Sequence, residues 1–283
     1  ANINFAYTVN KVVTSFGSSG IETYNIASGG TLATQTNAVT TLTDTLNTTS
    51  KVVISGANAL TVGAITTNTA ATTATATVAS ALKEIDASAA TGNVTLGNGT
   101  ALGTSAAIGT SGFNTTYDGL KVTTGSGNDT ITVAAKNAVI STGAGDDTIT
   151  VSGSGASIDT GAAKTATGDV VNVNGASASL TLGAGLQTVN IQAGAAAAAT
   201  LDKMTSITSA ATGDKIDFTA ILGGTDANVD TITNVTTTIG GAASLTAALD
   251  LAAAAGGAQA DGSIVYFNLV DGNTYLVGEV VGA

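Results

Sequence analysis

The sequence predicts an all-β fold, a parallel β-roll in which short strands stack along one axis. Three observations predict it. Glycine, alanine and threonine dominate while proline, cysteine, histidine and tryptophan are absent. The chain is 43% hydrophobic, with Val, Ile and Leu in short clusters, which is too apolar for disorder and too interrupted for a membrane span. Finally, "TGSGNDTIT" (124–132) returns as "TGAGDDTIT" (142–150).

Repeats decide the fold. Aligned on the β-branched residue after the aspartate, Ile131 and Ile149 are 18 apart, as are Val171 and Val189, with 22 between Ile149 and Val171. Halfway between runs a second series, Val122, Ile140, Ile158 and Leu180, spaced 18, 18 and 22. Both series gain four residues across "TGAAKTATGD" (160–169), so one loop insertion explains both irregularities. An apolar residue every nine positions describes a turn of two short strands and two tight loops. The inward Ile and Val side chains then form a narrow core.

The nonapeptides resemble the calcium-binding repeats-in-toxin family, whose unit is G-G-x-G-x-D-x-U-x with U a large apolar residue. Threonine replaces the first glycine in both copies. "TGAAKTATGDVVN" (160–172) matches with the insertion, and "LGAGLQTVN" (182–190) has Gln187 in the aspartate position. The resemblance implies a Ca²⁺ cofactor held between successive loops by aspartate carboxylates and loop carbonyls. Asp129, Asp147 and Asp169 would form one ladder, ended by Gln187. Thr124, Ser126 and Asn128 of the first loop and Thr142, Ala144 and Asp146 of the second complete the implied ligand set. The intervening half-turns "AAKNAVIST" and "SGSGASIDT" lack the glycine–aspartate loop, so calcium is expected on one edge only. Small residues and backbone pairing are expected to hold the other.

Residues 1–100 are expected to form degenerate β-strand repeats, with alternating segments at 21–30, 52–65 and 82–97. These resemble the repeats of bacterial S-layer proteins exported by type I secretion. Low-complexity residues 66–80 read as a loop or edge strand, with a short helix near 78–84. Residues 101–200 form the calcium β-roll and 201–283 a C-terminal cap. In the cap, "ATGDKIDFTAI" (211–221) resembles a closing repeats-in-toxin turn, with Asp214 in the ligand position. The nine-residue count reaches Ile216 only if Ala198 and Ile207 fill positions. Ser244 caps a helix over 244–257, and residues 262–281 form a β-hairpin around Asp271–Asn273. Together they cover the last open rung.

Composition narrows function. All eight basic residues are lysine, and sixteen of nineteen acids are aspartate, for a net charge of −11. Such a balance excludes a nucleic-acid partner, which needs cationic contacts to phosphate. No histidine, cysteine or arginine and no G-x-S-x-G, phosphate loop or H-E-x-x-H argue against an enzyme. The lysines are singly spaced and expected to be solvated. The start "ANINFAY" shows neither a secretion signal nor a Met, as expected of a fragment or processed product. The expectation is a secreted structural protein of the bacterial cell surface, an S-layer subunit that folds in Ca²⁺ and self-associates into a two-dimensional lattice. A cell-surface polysaccharide is a further candidate partner, through another region, and no transmembrane segment is expected. The alternatives are a fragment of a type I-secreted adhesin or the export module of a secreted hydrolase.

Overall fold

A computed structural model describes residues 1–32, 34–67, 78–97, 102, 115–116, 118–163, 168–175, 178–185, 187–191, 206–208, 215–217, 232–234, 264–268 and 274–278. The chain forms two compact units, residues 1–189 with 200–215, and residues 190–199 with 216–283.

The first unit is built of two parallel sheets. One runs in the order β1 (Asn2–Phe5), β4 (Thr23–Ser28), β6 (Lys51–Gly56), β9 (Glu84–Ala90), β12 (Lys121–Thr123), β14 (Val139–Ser141), β16 (Ser157–Asp159), β18 (Ser179–Thr181) and β20 (Ser206–Thr208). The other runs β2 (Val12–Val13), β5 (Thr36–Asp44), β7 (Ala59–Thr67), β10 (Val94–Leu96), β13 (Thr130–Val133), β15 (Thr148–Val151), β17 (Val170–Val173), β19 (Thr188–Ile191) and β21 (Lys215–Asp217), with β3 (Phe16–Ser18) beside β5. From β12 onward each strand belongs to the sheet its predecessor does not, and each pairs with the strand one turn later.

The registers reproduce the sequence period. Val122 lies beside Ile140, Ile140 beside Ile158 and Ile158 beside Leu180. Ile131 lies beside Ile149, and Ile149 beside Val171. Both four-residue excesses fall where the spacing puts the insertion; residues 164–167 themselves lie outside the described residues. Ile207 pairs with Leu180, 27 positions on rather than 18, so it takes the place in the first sheet that the nine-residue count gives to Ala198, and the count does not hold over this stretch. Stacking identical positions puts β-branched side chains over one another, which is why the pattern is strict. A one-residue slip would turn every apolar side chain outward. Ile131, Ile149 and Val171 are fully buried, as are Val122, Ile140 and Ile158, and each such side chain contributes about 1.5–3 kcal/mol.

Both sheets run through residue 100 without a break, since β12 pairs with β9 and β13 with β10. Upstream turns are longer but keep the same core columns: Val52 lies beside Ile85, and Val39 beside Val62. The helix expected near 78–84 does not form. Val78–Ala79 is a strand, β8, paired in parallel with β11 (Thr115–Thr116), and Glu84 already opens β9. On the outer face of the first sheet Lys51, Glu84 and Lys121 stand in register. Lys51 Nζ reaches Glu84 Oε2 at 3.0 Å and Asp86 Oδ2 at 3.1 Å, and Lys121 reaches Glu84 at 3.8 Å. These lysines are therefore paired rather than simply solvated, because distant positions meet across neighbouring strands.

In the half-turns without aspartate the loop edge is packed by small residues. Ala135, Ala138, Ala156 and Ala178 are buried, and the Ala138 and Ala156 carbonyls accept the amides of Ser157 and Ser179, each at 2.7 Å.

In the second unit β22 (Ile232–Asn234) lies parallel to β23 (Ile264–Asn268), which pairs antiparallel with β24 (Thr274–Gly278). The expected hairpin is thus present. Its turn and the helix expected over 244–257 lie outside the described residues. Among those, no helix is long and apolar enough to cross a membrane.

Candidate metal-binding edge

The repeated aspartate stands immediately before β13, β15 and β17 of the second sheet. Thr130 pairs with Thr148 and Thr148 with Val170, so Asp129, Asp147 and Asp169 share one column. Their backbone carbonyls accept the amides of Thr148, Val170 and Thr188, each at 2.8 Å. This fixes the side chains at the mouth of the core, and all three are at most 1% exposed.

Each carboxylate reaches back one turn. The amide of Val94 donates to Asp129 Oδ1 at 2.7 Å, that of Asp129 to Asp147 Oδ1 at 2.8 Å, and that of Asp147 to Asp169 Oδ1 at 2.9 Å. The series ends as the Asp169 amide donates to Gln187 Oε1 at 3.0 Å. The aspartate therefore satisfies a buried N–H that the tight loop leaves without a ladder partner. Far upstream Asn37 does the same for Lys11, at 3.2 Å. Between Asn37 and Asp129 the column holds Leu60 and Val94.

A second column was not legible as such. Thr124, Thr142 and Thr160 are buried. The Thr124 hydroxyl donates to the Thr142 carbonyl at 2.9 Å, and the Thr142 hydroxyl to the Thr160 carbonyl at 3.0 Å. The recurring Thr-Gly pair was the available signal. A third column is peripheral: the Asn128 amide donates to Asn93 Oδ1 at 3.0 Å, and the Asp146 amide to Asn128 Oδ1 at 3.2 Å. Asn128 is exposed and Asp146 half-buried.

The glycines close the loops. Gly143 (φ +85°) and Gly161 (φ +69°) occupy the left-handed region. The Ala144 amide donates to the Gly125 carbonyl at 2.9 Å and that of Ala162 to Gly143 at 2.8 Å. Ala144 and Ala162 form a parallel bridge, so the loops stack on each other as strands do. The Ser126 amide donates to the Ala90 carbonyl at 3.2 Å.

The edge thus brings together Asp129, Asp147 and Asp169 in one column, Thr124 and Thr142 in a second, Asn128 and Asp146 in a third, with Ser126 and Ala144 in the loops. Asp214 lies outside the described residues. Among those, no three acidic side chains converge on one point. A cation would have to draw one carboxylate from each turn and complete its shell with loop oxygens.

Electrostatics sets the tension in the column. Burial pushes the Asp147 carboxyl up to about 7, the charges of Asp129 and Asp169 push the same way, and the Asp129 amide and Thr142 hydroxyl pull it down. Burial also raises Asp169, against the Asp147 amide and the Thr160 hydroxyl. The Oδ2 atoms of Asp147 and Asp169 are buried and accept no hydrogen bond of proper geometry; the Thr142 and Thr160 hydroxyls act on the carboxyls by proximity, and the Thr142 hydroxyl donates to the Thr160 carbonyl instead. A buried carboxylate with an unpaired oxygen is costly unless protonated or bound to a cation. The all-oxygen donor set fits a hard cation such as Ca²⁺ and not a soft one.

Comparison of the chain with protein-family models, with curated proteins and with solved structures finds no match. The functional reading therefore rests on this edge.

Proposed function

We propose that the chain winds as a β-roll stapled along one edge by Ca²⁺, and that it is a structural protein of the bacterial surface layer. In this reading it leaves the cell unfolded by type I secretion, folds in external calcium and self-associates into a lattice. The observation that carries the calcium part is the stack of buried carboxylates, with the Oδ2 atoms of Asp147 and Asp169 left unpaired. Asp129, Asp147 and Asp169 would hold the ions, with loop carbonyls completing the shell. Bound calcium supplies charge neutralisation, and because it binds the folded stack alone it stabilises that stack by mass action. The acidic balance of −11 disfavours the compact state until cations bind. The surface-layer part is supported by the chain's resemblance to type I-secreted repeats and by the lack of recognisable catalytic motifs.

One observation favours a second reading, a calcium-independent ladder. Asn37 and Gln187 make the same hydrogen bond with neutral amides, so charge is not needed for it.

A calcium titration separates the two. On the calcium reading, far-UV circular dichroism gains β-structure and light scattering then rises as Ca²⁺ approaches the millimolar range typical of extracellular modules, about 10⁻³ M. The Asp129→Ala/Asp147→Ala double variant does neither. A spectrum unmoved by chelation sinks the calcium ladder and leaves the amide-like one. Folding without growth in scattering retains calcium but removes the lattice, pointing to the adhesin or export-module alternative.

A further inference from the structure

We propose that Asn174 deamidates spontaneously in the folded stack, closing a succinimide on the Gly175 amide that opens to aspartate and isoaspartate. Asparagine is a thermolabile residue. It is most open to this reaction before glycine, which has no side chain to shield the attacking amide. Two asparagines of the chain precede glycine, Asn98 and Asn174. Asn98 lies outside the described residues. Asn174 directly follows β17, on the edge that carries no aspartate column.

Stacking forces the pair. Val133 lies beside Val151 and Val151 beside Val173, so Ala134, Ser152 and Asn174 form the next column and Ala135, Gly153 and Gly175 the one after. In that last column a Cβ on Gly153 would press on the Ala135 carbonyl, and one on Gly175 would press on the Gly153 carbonyl. Backbone carbonyls cannot swing aside, so glycine is required at 175. The column before it accepts alanine, serine and asparagine. Of these three turns, the last alone sets an asparagine in front of the required glycine.

The pair is also left untied. The Asn174 amide is held by the Val151 carbonyl at 2.8 Å. The Gly175 amide, the nucleophile, donates to nothing among the described residues. Asn174 Oδ1 is buried and accepts no hydrogen bond, so nothing anchors the side-chain carbonyl, while the residue as a whole is half-buried and water reaches it. Asn172 is the contrast. Its Nδ2 donates to Thr150 Oγ1 at 3.2 Å, and the β-branched Val173 crowds the amide that follows it. In the reaction the Gly175 nitrogen bonds to Asn174 Cγ and gives up its proton, and the side-chain nitrogen leaves with that proton as ammonia. Water then opens the imide at either carbonyl. The sequence is redox-neutral and needs no cofactor or ion. Aspartate places a charge where no donor meets Oδ1. Isoaspartate lengthens the backbone between β17 and the loop, in a stack whose register tolerates no slip. Both products loosen this turn.

Mass spectrometry tests this on the unaltered protein, held folded in Ca²⁺ at pH 8 and digested with trypsin at intervals. Residues 165–203 form one peptide that holds Asn172, Asn174 and Asn190, so the controls are internal. Asn174 should exchange its amide for an acid about tenfold or more faster than Asn172, because the glycine amide is uncrowded. Part of the product should be labelled by an isoaspartyl methyltransferase. The urea midpoint of the aged parent should fall, while aged Asn174→Ser, which takes the residue of the preceding turn, should keep its midpoint. Conversion of Asn174 only after unfolding in urea overturns the proposal, and so does a folded chain in which Asn172 converts equally fast. An aged parent and an aged variant that weaken alike overturn the loosening of the turn.

Discussion

With calcium chelated, the protein is expected to lose stability as the pH rises from about 4 to about 7. Asp147 carries the effect. Its carboxyl is raised from 3.8 to about 7 in the folded chain, so between those values the unfolded chain ionises while the folded one keeps its proton. The stability contributed by the protonated form is complete below the unfolded value and is gone once pH passes the folded one. Each pH unit between the two values corresponds to about 1.4 kcal/mol, so the span is worth about 4 kcal/mol, and Asp169 adds in the same direction. Below pH 4 the slope reverses. Burial raises Asp44, but the amides of Thr49, Leu46 and Thr48 hold it below the ordinary value, and the Ser88 hydroxyl and Lys51 hold Asp86 there too. Their contributions are lost as these groups take up protons. Urea midpoints in chelator at pH 5 and pH 8 check the main span, and equal midpoints would mean that Asp147 ionises like an exposed carboxyl. Asp147→Asn sharpens the test. The amide keeps an acceptor for the Asp129 N–H, as Gln187 does for Asp169, but cannot ionise. In chelator at pH 8 the variant should unfold at higher urea than the parent, whereas in calcium it should unfold at lower urea. The same sign in both media would mean that Asp147 meets no cation.

Gly161→Ala is expected to collapse the middle of the stack. A Cβ at Gly161 would press on the carbonyl oxygen of Gly143, which is backbone and cannot swing aside. That oxygen is also committed to the Ala162 amide at 2.8 Å. The residue sits at φ +69°, where a side chain costs about 1–3 kcal/mol of strain. Overpacking against fixed backbone adds on the order of 1–3 kcal/mol. A combined loss of several kcal/mol is large against the total stability of an ordinary domain. Urea unfolding followed by circular dichroism measures it. Gly119→Ala is the control, because its φ is +69° as well but a Cβ there meets nothing within 4 Å. If both variants lose equally, dihedral strain alone is at work and the loop stacking is not tight.

The two apolar series at 18-residue spacing were enough to give strand direction, register and the place of the insertion, down to the pairing of Ile149 with Val171. They were legible because identical neighbours must stack for the core to stay buried. The aspartate column was legible as a column for the same reason. Its orientation was not. Read from the repeat, the carboxylates close cation sites in the loops. In the fold, each also spends one oxygen on the amide one turn back, a bond between residues 18 or 22 apart. Nothing local in "GND" or "GDD" announces it. The Lys51–Glu84–Lys121 cluster was hidden likewise, because upstream turns differ in length and no fixed spacing links the three.

By itself, then, the sequence determined the all-β class, the period, the inward face of each strand and which acids share an edge. Periodic burial leaves a one-dimensional trace, since every turn repeats the same environment. Only the tertiary structure decided that Asp129, Asp147 and Asp169 point into the mouth of the core and that threonine hydroxyls run a parallel ladder beside them. Those features depend on which backbone groups remain unpaired after the turns are stacked, and that is settled between turns rather than along the chain.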